Sequence, residues 1–92
     1  MSWTNVRAVG VSVDTTIQNS RTRLLGWSFG PLATGDVVFR NGTSVAASAA
    51  FTLPLNDGVR SELMFGSGNG ILFSDGLFVD IPASVKGTVF FD

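Results

Sequence analysis

The 92-residue chain contains no cysteine, no histidine and no tyrosine, and only 14% of its residues are charged. Each absence removes chemistry. Without cysteine there is no disulfide, no thiol nucleophile and no thiolate zinc ligand, a composition that fits synthesis in a reducing cytoplasm. Without histidine, the serines lack their usual general base. Glycoside hydrolysis needs two carboxylates flanking a cleft, yet Glu62 is the sole glutamate and alternates toward the solvent side of its expected strand. No enzymatic activity is expected.

Positive charge is sparse as well. Arg7, Arg21, Arg23, Arg40, Arg60 and Lys86 are scattered against seven acids, for a net charge of −1. Nucleic-acid binding calls for a basic stripe that neutralises phosphates, so no nucleic-acid partner is expected. No run approaches the ~20 apolar residues of a membrane helix. The N-terminus lacks the basic region and apolar core of a signal peptide, so neither a membrane role nor classical secretion is expected. Asn41-Gly42-Thr43 matches a glycosylation sequon but reads as turn chemistry.

Ligand motifs are equally thin. Gly66, Gly68 and Gly70 have a phosphate-loop spacing, but an apolar strand pattern follows them where a dinucleotide fingerprint requires a helix. Asp57, Asp75 and Asp80 match no calcium loop. No metal or cofactor is expected.

What the chain does have is turns and short apolar runs. Asn41-Gly42, Asp57-Gly58, Asn69-Gly70 and Asp75-Gly76 punctuate its second half. Such pairs tolerate the positive φ of tight turns between antiparallel strands. Period-2 alternation predicts strands over residues 6–13, 23–29, 36–40, 44–53, 59–65, 71–73, 77–81 and 85–91. Residues 14–22 are polar and read as a loop. In 44–53 alanine favours helix by propensity, but the preceding turn and the following Pro54 favour strand. The fold expected is all-β: an antiparallel, jelly-roll-like sandwich of about eight short strands. It forms one domain, with an arm and first strand over 1–20 and the sandwich body over 21–92.

A sandwich in water alternates apolar and polar along each strand. Here Leu25, Trp27, Val37, Phe39, Leu63, Phe65, Val79, Val89 and Phe91 take the core face. Leu24, Val38, Met64, Phe78 and Phe90 are then left for the outer face. An exposed patch of that size marks an interaction site, so these five are the expected oligomer or partner contact. With 45% apolar residues and a mean hydropathy of +0.35, the chain has apolar surface to spare for it. Trp27 is assigned to the core and Trp3 to an anchoring contact of the arm.

Arg23-Leu24-Leu25-Gly26-Trp27-Ser28-Phe29, residues 36–42, Gly70-Ile71-x-Phe73, Gly76-Leu77-Phe78-Val79 and Val85-x-Gly87-Thr88-Val89 resemble a pattern of small all-β bacteriophage virion proteins. These are capsid decoration (cement) or related head proteins. The resemblance spans residues 23–91 and carries no functional residue over. It implies a subunit, often trimeric, that binds the major capsid protein and stabilises the shell. On that expectation the protein is made in the host cytoplasm and resides on the capsid surface. Trp3, Asn5 and Arg7 would form the docking arm. The alternatives are a carbohydrate- or host-surface-binding module using residues 14–22 and 66–70, or another head, tail or fibre component.

Overall fold

The computed structural model describes residues 6–30, 35–55, 61–65, 70–82 and 85–92. Among these residues the regular structure is all strand. In chain order the strands are β1 (Arg7–Val11), β2 (Thr15–Gln18), β3 (Thr22–Phe29), β4 (Gly35–Asn41), β5 (Ser48–Leu55), β6 (Ser61–Met64), β7 (Ile71–Phe73), β8 (Leu77–Asp80) and β9 (Gly87–Phe91). They form two antiparallel sheets. Sheet A has the order β1-β9-β3-β6, with β7 also paired to β3, and sheet B has the order β2-β8-β4-β5.

The pairing register shows how the sandwich is made. β1 pairs with β9, β2 with β8, β3 with β7 and then β6, and β4 with β5. The chain is thus one long hairpin folded about the β4–β5 connection, its beginning paired with its end. Rolling that hairpin up adds the β3–β9 and β4–β8 pairings. β7 lies against Thr22–Leu24 and β6 against Gly26–Phe29, end to end along β3. Counted as one interrupted strand, they give eight strands in two four-stranded sheets, the connectivity of a jelly roll.

The core lies between the sheets. Phe29, Phe39, Phe73, Leu24, Leu77, Val37, Val79, Val85 and Val89 are fully buried. Trp27 of sheet A packs its ring against Phe39 and Phe51 of sheet B at 5.4 and 5.7 Å, and Phe39 stacks on Phe51 at 4.7 Å. Each such pair adds about 0.5–1.5 kcal/mol beyond area burial. Trp27 Nε1 donates to Ser61 Oγ at 3.1 Å, so its one polar atom is satisfied.

Several expectations need correction. The polar segment 14–22 is not a loop throughout, because Thr15–Gln18 forms β2 on β8. An edge strand needs to bury only one apolar side chain, and here Ile17 packs against the core. The strand expected from residue 44 begins at Ser48. Residues 42–47 form a turn, leaving Val45 57% exposed. Val13 lies past the end of β1 and is exposed, so it does not share a buried face with Val9 and Val11. Leu63, assigned to the core, is 43% exposed on the edge strand β6. The turns expected at 56–58 and 66–69 lie outside the described residues.

Candidate functional site

The register of β3 decides which side chains reach the surface. Leu24 pairs with Phe91 and Gly26 with Phe90, so Leu25 is an extra residue, a β-bulge, on β3. The bulge resets the alternation. Thr22 and Leu24 point inward before it, and Trp27 and Phe29 point inward after it. Leu25 is buried outside the core cluster, its side chain near Gly70.

Past the bulge, the outer face of sheet A receives Gly26 and Ser28. Gly26 sits in register between Phe90 on β9 and Met64 on β6. Having no side chain, it leaves room for the Met64 thioether to lie over it. A Cβ there would run into the Leu63 carbonyl and Met64 Sδ. A groove here, about 510 Å³, is lined by Trp27, Ser28, Glu62, Leu63, Met64 and Phe90. Met64 is 54% exposed. Ser28 Oγ donates to Glu62 Oε1 at 3.2 Å along one rim. Three strand positions away, Arg23 pairs with Leu72, which is 45% exposed on the same outer side. Of the six large hydrophobic residues exposed among the described residues, Leu63, Met64 and Leu72 all lie on the interrupted edge β6–β7.

The five residues expected to share one surface do not. Leu24 is in the core with no exposed surface, because the bulge turns it inward. Phe78 and Val38 belong to sheet B, on the opposite side of the sandwich. Only Met64 and Phe90 come together, across Gly26. Phe78, outward-facing on β8, is still only 8% exposed. Its neighbours across the sheet are Thr16 and Arg40, and both hold the 42–47 turn. Thr16 Oγ1 donates to the Thr43 carbonyl at 3.1 Å, and Arg40 Nη1 donates to the Ala47 carbonyl at 3.0 Å. The Gly42 amide donates to the Gly76 carbonyl at 3.1 Å. Gly76 has φ +121°, and a Cβ on it would crowd the Gln18 and Gly42 carbonyls. Arg40 Nη2 also pairs with Asp80 at 3.0 Å.

Of the expected docking arm, Trp3 and Asn5 lie outside the described residues. Arg7 is the first residue of β1, with its guanidinium 4.8 Å from the centre of the Phe91 ring. Asp80, weighed as a calcium ligand, is the Arg40 partner, and the Asp75 amide donates to Asn41 Oδ1. Among the described residues no group of three acidic side chains is placed to hold a metal ion.

Sequence reasoning passed over Gly26, Glu62 and Leu72 as parts of a surface. Leu72 was within reach, since alternation places it opposite the inward Ile71 and Phe73. The arrangement as a whole is suited to burying apolar area against a flat partner, with charges at its margins. No known protein family, curated protein or solved structure matches the chain.

Proposed function

We propose that the protein is a structural virion subunit of the capsid-decoration (cement) kind, which associates with itself and binds the major capsid protein to stabilise the shell. One observation carries this reading: a rolled-hairpin jelly roll that, among the described residues, leaves Met64 and Leu72 exposed and Phe90 half-buried on the outer face of sheet A. Jelly rolls recur in capsid and lectin domains, and because a fold hosts many functions, the argument rests on the face. Every 100 Å² of apolar surface covered contributes about 2.5 kcal/mol before association costs. The resemblance to phage head proteins supports the same reading.

A sugar-binding module would need an exposed aromatic ring for stacking. Trp27 does not provide one, being 6% exposed and packed against Phe39, Phe51 and Phe65.

The test is location. Antibody against the folded chain should label intact particles purified from the cells that make it. Mass spectrometry should find the chain in those particles at a fixed ratio to the major shell protein. Particles that lack the chain altogether would end this reading.

A further inference from the structure

The outer face of sheet A has a geometry that selects its occupant. We infer that it is the contact surface of a twofold homodimer, packed face to face through sheet A. The inference rests on the self-association part of the proposed function and not on the virion.

Three features on the face support a second copy. First, the row Phe90–Gly26–Met64 runs across the strands and is apolar along its length. An axis along this row, lying in the plane of the interface, stacks each apolar group on its own equivalent and runs the two β3 strands antiparallel. A twofold contact demands that kind of self-complementarity. Second, the row divides the charged groups of the face, Arg23 with Asp92 on one side and Glu62 with Lys86 on the other. Arg23, next to Leu72, stands about 10 Å from Gly26 in one direction along β3, and Ser28 with Glu62 stands about 7 Å away in the other. Rotation about the row therefore brings Arg23 of one copy toward Glu62 of the other, twice per dimer. Third, the size is adequate. The molecule measures 39 × 29 × 18 Å, and its broad face can supply the ~800 Å² per partner of a standard interface.

Met64 suits such a contact, because its thioether lies over Gly26 and is flexible enough to repack against a partner. On the outer face of sheet B the corresponding aromatic, Phe78, is only 8% exposed.

The decisive experiment is light scattering over a dilution series with the full chain and five variants. The wild type should be a dimer. Met64→Arg should raise the dissociation constant at least about 30-fold, the effect of a buried hot spot. Arg23→Glu and Glu62→Arg should each weaken the dimer about 5–10-fold, and the double variant should return to within about twofold of wild type. Circular dichroism and thermal melting keep misfolding apart from dissociation, and Met64→Leu should preserve the dimer.

A wild type that stays monomeric at millimolar concentration overturns the inference, as does a trimer, which no single twofold contact closes. Failure of the double variant to recover overturns the stated geometry. A monomer that binds purified shells and loses that binding through Met64→Arg would assign the face to the capsid instead. That last outcome would leave the virion reading standing, so the two proposals fail separately.

Discussion

The outer faces of the two sheets begin with similar material and end differently. Phe78 on β8 and Phe90 on β9 both project away from the core, each between two neighbouring strands. On sheet B, Phe78 stands between Thr16 and Arg40, which both hold the 42–47 turn, and is 8% exposed. On sheet A the row through Phe90 opens into a groove with Met64 on its far side. Whether an outward aromatic is core or contact thus depends on what the rest of the chain lays over it. Strand alternation does not encode that.

The comparison can be tested from the centre outward. The largest effect belongs to the core both faces share. Phe39→Ala removes the ring that meets Trp27, Phe29 and Phe51. It should cost about 3–5 kcal/mol, a large part of the stability of a domain this size, and urea denaturation would show it as a lost or strongly shifted transition.

Next comes the contrast itself. Phe78→Ala should cost about 3 kcal/mol, as for a core aromatic, and Phe90→Ala about 1 kcal/mol when both are measured on monomer. Equal losses by urea denaturation would erase the distinction between the two faces.

Loosening the turn should come third. Arg40→Ala deletes both the Asp80 pair and the bond to the Ala47 carbonyl. A loss of about 1–2 kcal/mol is expected, with faster hydrogen exchange at the Gly42 and Ala47 amides. Unchanged exchange there would mean that the turn holds without Arg40.

The smallest effect should come from Met64→Arg, within about 0.5 kcal/mol of wild type in monomer stability. A substantial loss of monomer stability would show that Met64 closes the groove as part of the fold.

The central strands were the most legible elements. β3, β4, β8 and β9 place a large apolar residue at every second position, because each buries one face against the opposite sheet. β2 was not legible, since an edge strand anchored by Ile17 alone needs little hydrophobic signal. The start of β5 was missed for a related reason. Residues 44–47 continue the alternation of small and apolar side chains, but their backbone turns, with the Ala47 amide donating to the Ser44 carbonyl. The candidate face was half legible. Met64 and Phe90 were named, whereas Leu24 was misplaced by a bulge that two adjacent leucines conceal.

By itself, the sequence determined that this is an all-β chain of short antiparallel strands. Turn pairs such as Asp75-Gly76 and period-2 runs are local signals, which depend on backbone dihedrals and on neighbours two residues away. It also determined that thiol and imidazole chemistry are missing, because composition settles that without a fold. Only the tertiary structure decided which outward residues are surface. It did so through pairings between distant parts of the chain: a bulge fixed by β9, a turn pinned by Thr16 and Arg40, and a glycine framed by strands from two other regions. Burial is set by what lies on top of a residue, and here that is nearly always a segment far away in the sequence.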